Sequence, residues 1–321
     1  MNRSRSMLLL GLIMLLLCGC AQKQPVFSST GEKWGIYKLD LLSEEVNLLY
    51  GTEGEISNLD LDKAGARLVY SKQVGGPAYE FSEILTYSIP DQRVSRLTEN
   101  ETWDLYPVWS SDGTQIVYLS FREETLDIYI MEADGSQQRL LFDSGFHDAD
   151  IDWVGEQITF TSQSRIWIMD DDGSNPRPLT DPPRAGEWGQ ANLPFGDYDP
   201  RISTDGSQII FSRLLDDQSV HGNYDLFIAD INGLSATNLT QTGYSQGLSS
   251  WSPNGDVILY IVSAIGEKGV YDLYSINKDG TEITNLTPGN VPPDFLIHSA
   301  RFGPDGDAVY FIGQWWNDPS Q

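Results

Sequence analysis

The chain has 321 residues, 40% of them hydrophobic and 21% charged, a globular composition that is neither disordered nor fibrous. Its 20 Lys and Arg face 46 Asp and Glu, a formal net charge of −26. That balance argues against a nucleic-acid partner and against an electrostatic dock on anionic lipid, both of which need clustered cations.

The chain starts with an address. Arg3 and Arg5 precede an apolar stretch at residues 7–17, too short for a spanning helix of about 20 residues and suited to the core of a signal peptide. It ends in Leu17-Cys18-Gly19-Cys20, which resembles a bacterial lipobox, with Cys18 where Ala or Ser is usual. The resemblance implies cleavage after residue 19 and lipidation of Cys20, with residues 20–30 as a polar tether. The alternative is an ordinary signal cut near Ala21. Cys18 and Cys20 are the two cysteines, so after cleavage no internal disulfide can form. Losing residues 1–19 removes two Arg and no acid, leaving 18 − 46 = −28.

From there one unit repeats. A tight turn recurs at Ala64-Gly65, Asp112-Gly113, Val154-Gly155, Asp205-Gly206, Asn254-Gly255 and Asp305-Gly306, followed each time by an alternating apolar strand. An aliphatic-aromatic pair alternates with it, as in Asp127-Ile128-Tyr129, Asp225-Leu226-Phe227 and Asp272-Leu273-Tyr274. A second turn and a strand ending in Leu-Thr follow, at Leu97-Thr98, Leu179-Thr180, Leu239-Thr240 and Leu286-Thr287. Four short strands per unit make a propeller blade. The spacing predicts an all-β, six-bladed β-propeller of four-stranded antiparallel blades, a single domain over residues 31–317. Complete blades fall near 54–98, 104–141, 147–180, 196–240 and 246–287. Residues 34–50 hold the second half of a blade and residues 297–314 the first half; joined, they close the ring and remove open edges.

Counting back from the turns aligns the inner strands. Three residues before each turn the side chain is apolar: Leu61, Trp109, Ile151, Ile202, Trp251 and Phe302. One residue earlier lie Asp60, Val108, Asp150, Arg201, Ser250 and Arg301. Blades six and one are neighbours, as are three and four. Two channel ion pairs are therefore expected, Arg301 with Asp60 and Arg201 with Asp150.

Trp109-Ser110-Ser111-Asp112-Gly113, Trp251-Ser252-Pro253-Asn254-Gly255 and Phe302-Gly303-Pro304-Asp305-Gly306 resemble the WD-like repeats of the TolB-type propeller family, over about residues 31–314. The resemblance implies a propeller of the cell envelope. Roughly ten residues separate Cys20 from the first strand, too few for the α/β domain that TolB carries before its propeller.

Candidate chemistry is sparse. Gly243-Tyr244-Ser245-Gln246-Gly247 matches G-x-S-x-G, with Asp272 and His298 following in hydrolase order, but an inner strand follows where the nucleophile elbow needs a helix. Some TolB-like propellers are lyases with a metal held by converging His; here His147 and His298 fall on opposite blades, a poor arrangement for one ion. Asp170-Asp171-Asp172-Gly173 reads as a hairpin turn rather than a calcium loop. No catalytic residue, cofactor or metal is assigned.

The links between outer and next inner strand, and between second and third strand, are long and irregular, and binding residues concentrate on such loops. The expected binding face carries Tyr79, Glu80, His147, Asp148, Trp188, Tyr198, Asp199, His221 and His298. The reading is an exported, non-catalytic lipoprotein of a bacterial cell membrane or outer membrane, facing periplasm or exterior. It would be a monomer that binds an envelope protein, a peptide or a glycan. The alternatives are an envelope lyase or hydrolase with its site at the channel mouth, or a scaffold or sensor subunit of an envelope complex.

Overall fold

The computed structural model describes residues 33–75, 81–216, 222–233, 235–263, 271–287, 289, 291–292 and 295–315. The expected leader with Cys20, and Tyr79, Glu80 and His221, lie outside the described residues. The described residues form six four-stranded antiparallel sheets and no helix. Numbered in chain order, the innermost strands of blades one to six are Ile56–Leu61, Asp104–Trp109, Asp148–Val154, Asp197–Ile202, Ser245–Trp251 and Phe295–Phe302. Each packs against the next around a central channel. The ring closes as expected. Trp34–Asp40 pairs with Ala308–Trp315, from Trp34 opposite Gln314 to Asp40 opposite Ala308, so blade six is built from both ends of the propeller.

The repeated residues hold the turns and strand ends. Gly113 sits at φ 69°, a left-handed value that Gly adopts without steric cost. Ser110 Oγ donates to Asp112 Oδ1 (2.7 Å) and accepts from the Gln115 amide (2.9 Å) across the same turn. The Thr of each Leu-Thr element accepts an amide fourteen residues back: Ile84 to Thr98, Ile166 to Thr180, Leu226 to Thr240 and Leu273 to Thr287, at 2.9–3.1 Å. That bond takes up an amide of the third strand where the outer strand ends. Gly233 of blade four has φ 73°, and a Cβ there would collide with the carbonyl oxygen of Leu179 in blade three. Only Gly allows the two blades to approach so closely.

The core lies between blades. Val69 and Ile84 of blade one pack with Trp109, Ile116 and Tyr118 of blade two. Ile166 and Ile168 of blade three pack with Ile209 and Phe211 of blade four. Across the closure, Ile36, Tyr310 and Ile312 pack with Leu59, Tyr70 and Leu85. Each such side chain contributes roughly 1.5–3 kcal/mol by leaving water.

Two features were not read from the sequence. Each inner strand is bulged, and five of the bulges hold a left-handed non-Gly residue: Asn58, Tyr106, Asp150, Asp199 and Leu248, with φ of 49–55°. Blade three also corrects the predicted alignment. Trp109 pairs with Ile116 in blade two, whereas Trp153 pairs with Ile158 across a turn two residues shorter. Counting back from Gly155 therefore overshoots by two. The apolar position is Trp153, not Ile151, and the channel position is Asp152, not Asp150.

Candidate functional site

The channel position is thus occupied by Asp60, Val108, Asp152, Arg201, Ser250 and Arg301. Hydrogen bonding supports this register. Asp60 Oδ2 accepts the Trp109 amide of the next blade at 2.9 Å, and Asp152 Oδ2 accepts the equivalent Ile202 amide at 2.7 Å. Arg301 Nε lies 3.4 Å from Asp60 Oδ1. Arg201 does not pair with Asp150. Its Nη2 lies 2.8 Å from Asp199 Oδ1, two residues before it on its own bulged strand. Asp150 Oδ2 accepts instead from Thr161 Oγ1 (2.9 Å) and from the Asp199 amide (3.2 Å). Asp150 and Asp199 are the left-handed bulge residues two positions before Asp152 and Arg201.

Burial governs the charges here. It raises Asp60 above its ordinary range, with Arg301 pulling back. It raises Asp150 to about 6, helped by the charge of Asp199 and opposed by Thr161 and Arg201. Asp152 also rises to about 6 through burial, against the pull of Arg201. Arg301 is lowered by burial and then by the neighbouring Arg201. For Arg201, burial is outweighed by Asp199, Asp152, Asp150 and Asp60, which hold it above its ordinary value. At the short-turn end the channel opens into a cavity of about 540 Å³, lined by Asp60, Asp152, Arg201 and Arg301 together with Trp109, Trp153, Trp251 and Phe302.

The opposite end carries the links from each outer strand to the next inner strand. Trp188 is 70% exposed there. Its loop is held by an Arg184–Glu187 pair at 2.8 Å, by Arg184 over the Phe195 ring at 3.6 Å, and by backbone bonds joining Gly186 and Glu187 to Phe195. Six of the nine exposed large hydrophobic residues among the described residues lie at this end: Trp103, Phe146, Trp188, Leu193, Leu215 and Tyr244. That concentration distinguishes this end from the other, and all but Trp188 were missed from sequence, because the exposure of a loop apolar residue depends on how its loop folds.

The other expected site residues divide. His147 is exposed at this end, with Nδ1 accepting the Leu126 amide at 3.1 Å and its ring stacked 6.1 Å from Phe121. Asp148 is buried, takes a bond from Ser144 Oγ at 2.6 Å, and is raised by burial to about 6. Tyr198 donates to the Pro194 carbonyl at 2.6 Å, which tethers its loop. Asp199 belongs to the channel, beside Arg201. His298 is packed inside blade six between Trp34 (5.2 Å) and Tyr271 (5.6 Å), with Nε2 2.9 Å from Gln314 Oε1. Burial lowers its pKa. Among the described residues no three His, Cys, Asp or Glu gather in a group that could hold a metal ion. Ser245 opens the inner strand Ser245–Trp251, so the G-x-S-x-G segment is a strand entry. A girdle of buried acids went unread as a set, with only Asp148 singled out and that for a loop role: Asp104, Asp148 and Asp197 share one register, four residues before the channel position. Ser120 Oγ donates to Asp104 at 2.5 Å, and Arg213 grips Asp197 with two bonds of 2.6 and 2.8 Å.

No protein-family profile matches the chain. An uncharacterised protein of Agrobacterium fabrum is 28% identical over 192 residues, which is 57% of this chain and 63% of that protein. The Tol-Pal system protein TolB of Desulfosudis oleivorans is 28% identical over 104 residues, 30% of this chain and 24% of that protein. Both matches span less than two thirds of the relative. Among solved structures, a putative TolB from Agrobacterium tumefaciens has a TM-score of 0.68 at 16% identity, covering 88% of this chain and 98% of that one. TolB from Acinetobacter baumannii has a TM-score of 0.60 at 15% identity, covering 89% and 65%. The fold is a TolB-like six-bladed propeller. The TolB-like architecture extends to enzymes: an oligogalacturonate lyase from Vibrio parahaemolyticus has a TM-score of 0.54 at 13% identity, covering 91% and 88%. A fold shared by TolB proteins and a lyase leaves function to the surface and the site.

Proposed function

We propose that the protein is a non-catalytic binding module of the bacterial cell envelope, lipidated at Cys20, that engages an envelope protein, peptide or glycan through its long-loop end. The observation that carries this reading is the gathering of Trp103, Phe146, Trp188, Leu193, Leu215 and Tyr244 at one end of a rigid ring. Exposed aromatics on loops held by a rigid scaffold are typical recognition elements. The channel carboxylates are spoken for by neighbouring amides, hydroxyls and guanidiniums, which suits a structural role. His147 is assigned to the rim of the same surface.

The test is affinity capture from envelope extracts with the protein, with a Trp188→Ala/Phe146→Ala variant and with Ser136→Ala as a short-turn control. Partners held by the protein and by Ser136→Ala should be lost by the double variant. Partners lost only when short turns are altered would reverse the assignment. Lipidation is checked separately: Cys20→Ser should abolish incorporation of labelled fatty acid and release the protein from membranes.

A further inference from the structure

The cavity at the short-turn end lies at the opposite mouth from the proposed docking surface, and its hydrogen-bonding groups are out of balance. Among the described residues, no carboxylate oxygen of its lining is buried without a partner. Asp60 takes the Trp109 amide and Arg301 Nε, and Asp152 takes the Ile202 amide. Two donors are left over. The Trp109 indole Nε1–H and the Arg201 Nε–H are buried and donate to no group among the described residues. Both residues line the cavity, and they are only 3% and 5% exposed. The contrast with Trp251 is instructive: its indole donates to the Arg201 carbonyl at 3.0 Å.

Leftover buried donors call for an acceptor. The cavity also gathers Arg201, Arg301 and the exposed rim residue Lys63 at one mouth of a chain whose net charge is −26. Guanidinium groups favour a carboxylate, which offers two oxygens and about four lone-pair sites to charge-assisted bonds. Asp60, Asp62 and Asp152, which also line the cavity, disfavour a second negative charge. Trp153, Trp251, Phe302 and Val108 supply apolar wall, and about 540 Å³ is the volume of an ordinary small-molecule pocket. We propose that this cavity binds a small organic monocarboxylate with an apolar or aromatic body, its carboxylate set against Arg201, Arg301 and the Trp109 indole.

The experiment is calorimetric titration of the purified protein with phenylacetate and, in parallel, with the uncharged isostere phenylacetamide. Nitrogen–proton spectra of the Trp indoles report the location. Phenylacetate should bind with a Kd of about 1 mM or tighter. The amide should bind about tenfold more weakly or worse, because hydrogen bonds to a charged group are the stronger ones. The Trp109 indole signal should move on binding while that of Trp188 stays in place. Arg301→Gln should weaken phenylacetate by about tenfold, and Lys63→Ala by less, because its ammonium stands at the exposed rim. Equal binding of acid and amide, no binding of either, or shifts confined to Trp188 would overturn the proposal. The two-probe comparison uses the unaltered protein, so a poorly folded Arg301→Gln variant still leaves the question decided.

Discussion

The two ends of this propeller are built from different materials. At the short-turn end the repeat recurs: a Ser and an Asp or Asn lock the inner turns of blades two, four and five, a Gly takes the left-handed position in all six, and channel side chains stand in register. Its channel guanidiniums, Arg201 and Arg301, pair with carboxylates. At the long-loop end the links vary in length, and large apolar side chains face water. One end is set by what each blade must do to fold. The other is released from that requirement, since loop-closure entropy grows only slowly with length. Structure-bearing residues should therefore cluster at the first end and partner-bearing ones at the second, and the two classes respond to different experiments.

The largest expected effect is at the channel. Arg201→Ala leaves Asp199 buried beside Asp150 without its counter-charge, and should destabilise the fold by about 3–5 kcal/mol. Arg301→Ala should cost less, since its pair is longer, 3.4 against 2.8 Å, and less buried. Denaturant midpoints check both. By the same measure Trp188→Ala should fall within about 0.5 kcal/mol of the unaltered protein. A destabilising Trp188→Ala would erase the contrast between the ends.

A second test uses pH. Asp152 has a folded pKa of about 6 against an ordinary 3.8, so the folded state binds more protons between those values. Stability should be greatest at the acid side of this window and fall as pH rises from about 4 to 6, by roughly 1.4 kcal/mol per unit of raised pKa. Asp152→Asn keeps an acceptor for the Ile202 amide and should flatten that slope. The turn carboxylates work in the opposite sense. Side-chain bonds from Ser110 and Thr114 hold Asp112 at about 2, so its contribution is lost as pH falls below 4. Urea titrations at several pH values separate the two. An unchanged slope in Asp152→Asn would mean that Asp152 titrates normally.

The third effect is on binding. Once a partner is in hand, Trp188→Ala and Phe146→Ala should each weaken it by about 2 kcal/mol if they are anchors. The smallest is the control. Ser136→Ala, in a short turn, should change neither affinity nor melting by a measurable amount. Sensitivity at Ser136 with indifference at Trp188 would exchange the roles of the ends.

Much of this was written in one dimension. Turn pairs such as Asp112-Gly113, the Leu-Thr strand ends and the split blade at residues 34–50 and 297–314 determined the six blades and the ring closure, because backbone geometry at a turn is a local property and each blade repeats it. Trp188 was legible as a loop aromatic for the same reason. Asp152 was not: a turn two residues shorter in blade three breaks the count, and only cross-strand pairing of Trp153 with Ile158 restores it. The bulges at Asp150 and Asp199 likewise depend on a partner strand. The pairing of Arg201 with Asp199, the orphaned donors of Trp109 and Arg201, and the exposure of Trp103, Phe146 and Tyr244 were decided by the tertiary structure alone. Each depends on which groups from different blades meet, and those distances exist only after the ring has closed.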